Sequence, residues 1–197
     1  MQITLYKITD ANGNIDEGPG RTRWYNDPLL AVMLNPICDN YNLDTAKIWS
    51  CEWTISGEAG RRNNKTLKEI ELPRVTLNQR IAFGVMCALQ VYQEPEFSGW
   101  AENWLSGKER DAKTPWIEKA VAPGSIRTAQ EAKDKAKIAA LWAASAAVGK
   151  IKKSVEEKYI EEAAAEAVKA AAEAAVENGK LIDLITLVHE ALKIPQI

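Results

Sequence analysis

The feature that most constrains the fold is an alanine-rich stretch in the second half of the chain. Nine alanines lie between Ala163 and Ala175, separated only by glutamate, valine and lysine residues. Because alanine has the highest helix propensity of all residues, this composition strongly favours a helix. Alanine side chains bury little area, so such a helix needs more than one packing neighbour. The stretch predicts a compact helical bundle; a long exposed coiled coil is the alternative, although no strict heptad is sustained.

Further helix signals follow residue 75. Two capping boxes are predicted, at 76–79 and at 128–131, and the second is expected to open the long alanine-rich segment. Between them, Ser98 is a candidate cap for a helix that Gly107 would close. Trp100 and Trp104 in that helix are four residues apart, which places both on one face and favours packing in the core. Gly149 is the expected break between two long helices.

The first 75 residues carry the signals of strands and turns. Asn12-Gly13 predicts a turn, because glycine adopts a positive φ at little cost. Asp27-Pro28 is typical of a helix start, and Asn35-Pro36 is expected to stop the short helix Leu29–Leu34. The predicted strands are Ile3–Ile8, Lys47–Ile55 and Thr66–Leu72, and the last two would be joined by a polar, exposed loop, 56–65.

Residues alternate in polarity along the strand Lys47–Ile55. Trp49, Cys51, Trp53 and Ile55 form the more apolar set, so this face is expected to point into the core. The sequence thus predicts an α+β fold. A small N-terminal antiparallel β-rich domain, residues 1–75, is followed by an alanine-rich α-helical bundle, residues 76–197.

The charge distribution argues against binding to duplex DNA. The net charge is −2, and residues 1–75 carry 9 basic and 10 acidic side chains, so the charge is not polarised. A nonspecific DNA-binding protein needs a basic excess to neutralise phosphates. Three well-separated cysteines without a signal peptide favour reduced thiols in a cytoplasm. No apolar run approaches the roughly 20 residues of a membrane-spanning helix, so neither a membrane nor export is expected.

Common catalytic and metal-binding patterns are missing from the sequence. His189 is the single histidine, whereas neutral histidine and cysteine metal sites usually recruit several such residues. No nucleophile elbow, phosphate-binding loop or dinucleotide-binding glycine motif is found. We therefore predict no catalytic residues, no metal and no cofactor. The 27 acidic residues leave a carboxylate-only hydrolase open as a minor alternative.

Two clusters of cationic and aromatic residues are the candidate binding residues. One contains Arg21, Arg23 and Trp24, and the other contains Arg61, Arg62 and Lys65. If the fold brings them together, they would form a cationic pocket with aromatic walls, suited to a phosphorylated small molecule or a nucleotide. The structural alternative is a solvated hairpin above an aromatic core, which is the more common use of such residues.

The order of these segments resembles small phage-encoded proteins without an assigned function. The N-terminal stretches that carry the resemblance are 35–37, 47–52 and 72–73. The segments 76–83 and 100–105 with the alanine-rich helices resemble a helical module of immunity-protein type. The resemblance covers most of the chain but rests on packing and capping signals, and no catalytic residue is carried over. It implies a phage or mobile-element accessory protein, for which blocking a bacterial defence system is a plausible role.

Three functional hypotheses follow. The first is a non-enzymatic, anti-CRISPR-like inhibitor that binds a host defence protein by protein–protein contact in the host cytoplasm. The second is a sponge that sequesters a nucleotide immune signal through the two cationic clusters. The third is the carboxylate-dependent hydrolase. The alanine-rich helices are also compatible with a homo-oligomer, since they can close an interface between copies as well as an internal bundle.

Overall fold

The computed structural model describes residues 2–14, 24–56, 61–108, 114–151 and 155–194, without the side chains of 2, 54–56, 61–66 and 115. The fold is α+β: a three-stranded antiparallel sheet lies near the N-terminus and helices follow it. The chain divides into two compact units, Met1–Arg74 and Val75–Ile197. None of the helices within the described ranges is both long and apolar enough to cross a bilayer.

The N-terminal unit contains the sheet and one helix. Strands β1 (Gln2–Thr9), β2 (Lys47–Ser56) and β3 (Arg61–Ile70) pair in the order β1-β2-β3, and helix α1 spans Pro28–Cys38 and contacts β1. The side chains of Ile8 and Ile48, which face each other in the β1–β2 register, are fully buried. The unit therefore has an apolar core of its own.

Helix α1 continues past the residue at which the sequence predicts its end. Pro36 lies inside the helix, so the predicted stop at Asn35-Pro36 is wrong. Proline removes only one helical donor, and the buried Asn35 stabilises the last turn from its other side. Its side chain donates to the Tyr41 carbonyl (2.8 Å) and accepts from the Tyr41 N–H (3.0 Å).

The polar segment 61–65 is strand rather than loop. The backbones of Arg61, Arg62 and Lys65 pair with Ser56, Ile55 and Glu52 in the β2–β3 ladder, and the register shifts at Cys51/Glu52. The predicted loop 56–65 is therefore wrong for most of its length. Cross-strand pairing outweighs the low strand propensity of this Arg- and Asn-rich run, since β-propensity depends strongly on context.

The described part of the C-terminal unit contains helices joined by turns, and no strand. The helices are α2 (Leu77–Leu89), α3 (Pro95–Leu105), α4 (Pro115–Ala120), α5 (Ser125–Glu131), α6 (Lys135–Ile151), α7 (Glu157–Glu177) and α8 (Leu184–Ala191). α2 contacts α3, α6, α7 and α8, and α6 packs along α7. Most alanines of α7 are buried in these contacts, as expected for a helix that must pack on several neighbours.

Several helix ends differ from the sequence-based expectation. α3 begins at Pro95 rather than at Ser98, because proline is well suited to the first helical turn. Thr128 lies inside α5 and does not open the long helix. Gly149 does not break α6, which continues to Ile151. A Cβ at this glycine would lie 3.0 Å from the Ile160 side chain, so the residue serves close packing between α6 and α7.

An ion pair links α2 and α7 inside the helical unit. Arg80 Nε lies 3.0 Å from Glu161 Oε1, and the Arg80 side chain is only 3% exposed. Burial lowers the pKa of Arg80 despite the neighbouring Glu161 and Glu157, and burial also raises the pKa of Glu161. Desolvation thus offsets much of the attraction, which is typical of buried ion pairs.

Candidate functional site

A groove crosses one face of the N-terminal sheet. It is lined by Lys7 and Thr9 of β1, Gly13 and Trp24 of the following segments, Trp49 of β2 and Leu67 of β3, and it encloses about 150 Å³. We call it the sheet groove. The register explains why these residues meet. Lys7 pairs with Trp49, and Leu67 pairs with Cys51, which is two residues along β2 from Trp49 and therefore on the same face of the sheet. Residues paired across antiparallel strands share a face of the sheet.

The turn after β1 forms one end of the sheet groove. Asp10 accepts hydrogen bonds from the N–H groups of Asn12 (2.9 Å) and Asn14 (2.7 Å). These bonds, with those of Asn14 foremost, lower the pKa of Asp10. Gly13 adopts φ +83°, which the predicted Asn-Gly turn requires. A Cβ at this position would contact the Trp49 ring, so the turn lies directly against that side chain. The turn is therefore fixed locally and holds one side of Trp49.

Trp24 is placed over the sheet by its neighbour. Tyr25 forms an isolated bridge with Tyr6, with N···O distances of 2.7 and 2.9 Å. Trp24 then packs edge-on against Trp53, with ring centroids 5.7 Å apart. The Nζ of Lys7, a side chain only 2% exposed, lies 5.6 Å from the Trp24 ring centroid. A cation at this distance from an indole face is stabilised by the ring quadrupole.

The rim of the sheet groove combines a fixed tryptophan with an exposed leucine. Trp49 donates from Nε1 to Thr9 Oγ1 (3.1 Å), which fixes its ring. Leu67 is 53% exposed, one of the few large apolar side chains so exposed in the described residues. Trp49 and Trp53 are half-buried, so the expectation that both belong to the core is only partly met. An exposed leucine beside partly exposed tryptophans is an apolar surface of the kind found at binding sites.

The structure describes only some of the candidate binding residues that the sequence predicts. Trp24 lines the sheet groove. The backbones of Arg61, Arg62 and Lys65 belong to β3, and their side chains lie outside the description, as do Arg21 and Arg23 entirely. Whether the two cationic clusters meet thus stays a prediction. By contrast, the core positions expected for Trp100 and Trp104 are confirmed, since they are 4% and 3% exposed.

Lys7 and Leu67 are site residues that sequence reasoning missed. Lys7 lies in a predicted strand rich in β-forming residues, Ile3–Ile8, and a lysine there is ordinarily expected to point to solvent. Its position opposite Trp49 depends on the pairing register, which a single sequence does not reveal. Among the described residues, no three histidine, cysteine or acidic side chains are grouped as metal ligands would be.

The volume of the sheet groove limits what it can bind. Pockets for drug-sized ligands and cofactors measure roughly 300–1,000 Å³, whereas the sheet groove encloses about 150 Å³. A cavity of about this size holds a benzene-sized group. The sheet groove thus suits one apolar side chain of a partner better than a whole nucleotide.

Comparisons of this chain with protein-family models, curated proteins and solved structures give no match.

Proposed function

We propose that this protein acts by binding rather than by catalysis, as a phage-type inhibitor that contacts a bacterial defence protein through its N-terminal unit. The observation that carries the proposal is the sheet groove, a cavity of about 150 Å³ beside the half-exposed Leu67. Interface hot spots typically consist of one aromatic or aliphatic anchor seated in such a pocket. The phage and anti-defence part of the proposal is supported by the sequence resemblance alone.

The charge of the neighbouring strand indicates the chemistry of the partner. Strand β3 carries four basic residues, Arg61, Arg62, Lys65 and Lys68, and one acidic residue, Glu69. It is an outer strand of the sheet in the order β1-β2-β3. The partner should therefore present an acidic surface around a protruding apolar side chain, because complementary charge accelerates encounter and fixes orientation.

A phage-infection assay tests this proposal. Bacterial strains that each carry one defined defence system would be infected with and without expression of the protein, and plaque formation would be counted. We expect wild-type protein to restore plaques against one system. Leu67→Asp should abolish the rescue, since a charge in the lining of the pocket that receives the hot-spot anchor should cost about 2 kcal/mol or more, roughly a 30-fold loss of affinity.

Leu181→Asp is the matched control. Leu181 is 92% exposed and lies in the other unit, so the same chemical change there should leave the rescue intact. Circular dichroism of both variants would check that they remain folded, which is expected because both leucines are exposed. Rescue of no defence system by the wild-type protein, or full rescue by Leu67→Asp, would contradict the proposal.

A further inference from the structure

A second, larger cavity lies within the helical unit. It encloses about 380 Å³ and is lined, among other residues, by Tyr92, Glu94, Trp116, Lys119, Lys137 and Leu141. We call it the helical cleft. Its volume falls in the range of roughly 300–1,000 Å³ that small-molecule sites occupy. It lies in the unit that does not contain the sheet groove, so the inference below does not depend on the proposed function.

The aromatic side chains that line the helical cleft, Tyr92 and Trp116, pack on buried aromatic neighbours. The Trp116 ring stacks on Trp100 with centroids 5.3 Å apart and an interplanar angle of 27°, and it lies 5.0 Å from Phe97. Tyr92 packs on the same Phe97 at 5.5 Å. Phe97 and Trp100 are buried. A flat apolar group entering the cleft would thus meet a preformed aromatic surface, which costs little reorganisation on binding.

Two opposite charges line the helical cleft without a partner. Lys119 is already paired with Glu96 at 3.3 Å. Glu94 and Lys137 also line the cleft, and among the described residues neither side chain forms an ion pair or hydrogen bond. The Lys137 backbone N–H donates to Asp134, but its ammonium group is available.

The charged groups that shift the pKa of Tyr92 are all carboxylates. Burial is the largest cause that raises the pKa of Tyr92, and the carboxylates of Glu94, Asp134 and Glu96 raise it further. A ligand that carries only an anionic group would be repelled at this end, and one that carries only a cation would leave Lys137 unpaired. A ligand with both charges satisfies Glu94 and Lys137 together.

We propose that the helical cleft binds a small zwitterion with a flat apolar group, the chemistry of an aromatic α-amino acid. The ammonium group faces Glu94, the carboxylate faces Lys137 and the ring lies against Trp116 and Tyr92. The two exposed ion pairs set orientation and selectivity more than affinity, whereas ring contact with the aromatic wall supplies most of the binding.

Isothermal titration calorimetry with three probes on the full chain tests the proposal. The probes are phenylalanine, phenylalaninamide, which lacks the carboxylate, and N-acetylphenylalanine, which lacks the ammonium group. We expect phenylalanine to bind about fivefold more tightly than either analogue at low salt, the upper value for a surface ion pair. The preference should shrink as salt is added, because exposed charges are screened.

Two charge-removing variants assign each end of the ligand. Lys137→Gln should remove the preference for phenylalanine over phenylalaninamide and keep its preference over N-acetylphenylalanine. Glu94→Gln should remove the preference for phenylalanine over N-acetylphenylalanine and keep its preference over phenylalaninamide. Glu102→Gln, on an exposed carboxylate of α3 outside the cleft lining, should change neither. Absence of phenylalanine binding to the folded wild-type protein, or equal affinity for the three probes, would overturn the proposal.

Discussion

At the scale of single residues, the helical unit depends on Gly84, where α2 packs closely against α7. A Cβ at this position would lie 2.9 Å from the Ala164 carbonyl oxygen and 3.3 Å from the Ala167 Cβ. We expect Gly84→Ala to lower the free energy of unfolding by about 1–3 kcal/mol, because a backbone atom of α7 has to move. Urea denaturation followed by circular dichroism would measure the change.

Gly99→Ala provides the control for this substitution. Gly99 also lies in a helix, α3, but a Cβ there meets no atom within 4 Å. The variant should gain about 0.5–1 kcal/mol, since alanine is the better helix former. If Gly84→Ala were stabilising as well, helix propensity would outweigh packing at the α2–α7 contact and the close approach would be wrong.

The residue scale also shows where sequence reasoning reached the candidate site and where it stopped. Trp24 was expected there because aromatic and cationic residues cluster around it. Lys7 was not expected there, because a buried lysine is uncommon. The Trp24 ring that stabilises its ammonium group also lies outside strand β1. Leu67 belonged to a predicted strand, but its exposure depends on the register with Cys51. Local residue type was thus informative, whereas cross-strand position was not.

At the scale of elements, the N-terminus of α2 is tied to the end of α8 through one side chain. Gln79 Oε1 accepts from the Thr76 N–H at 2.8 Å, which completes the predicted capping box. Its Nε2 also donates to the Leu192 carbonyl at 3.0 Å. Gln79 therefore serves two elements, whereas Thr76 serves only the cap.

This difference predicts unequal effects of two alanine substitutions. Thr76→Ala should cost about 1 kcal/mol of unfolding free energy, the usual value for a lost N-cap. Gln79→Ala should cost about 2 kcal/mol, because two hydrogen bonds of a buried side chain are lost. Amide hydrogen exchange would separate them, since only Gln79→Ala should accelerate exchange in α8. Equal exchange in both variants would show that the Leu192 contact does not hold α8.

Elements were predicted best where local sequence alone determines them. The capping box of α2 and the Asp27 cap of α1 depend on residues within one turn, and both are present, whereas the box predicted at 128–131 lies inside α5. Segment 61–65 was misjudged because its partner strand, and not its composition, makes it a strand. Pro36 lies inside α1 because two hydrogen bonds between the Asn35 side chain and the Tyr41 backbone hold the helix end.

At the scale of the whole molecule, the two units differ in how their cores form. Apolar alternation along strands builds the sheet unit, and residue pairs of high sequence separation hold it together. The helical unit is specified largely by alanine-rich periodicity, which a sequence shows directly. The α+β class was therefore predictable from the change in pattern near residue 75, whereas the groove and cleft required the packed structure.

Each unit has a buried cysteine that reports on its own unfolding. Cys51 is 1% exposed in the sheet unit and Cys87 is fully buried in the helical unit. Burial raises the pKa of both thiols, so little reactive thiolate exists in the folded state. Alkylation should therefore follow opening of the surrounding unit, and mass spectrometry of labelled peptides would time each cysteine separately.

In this assay Gly84→Ala distinguishes separate from joint unfolding. The substitution disturbs the α2–α7 packing around Cys87, whereas the core around Cys51 is built from residues 1–74. We expect alkylation of Cys87 to accelerate about tenfold, corresponding to a loss of about 1.4 kcal/mol, and alkylation of Cys51 to remain at the wild-type rate. Equal acceleration of both cysteines would instead mean that the units unfold in one cooperative step.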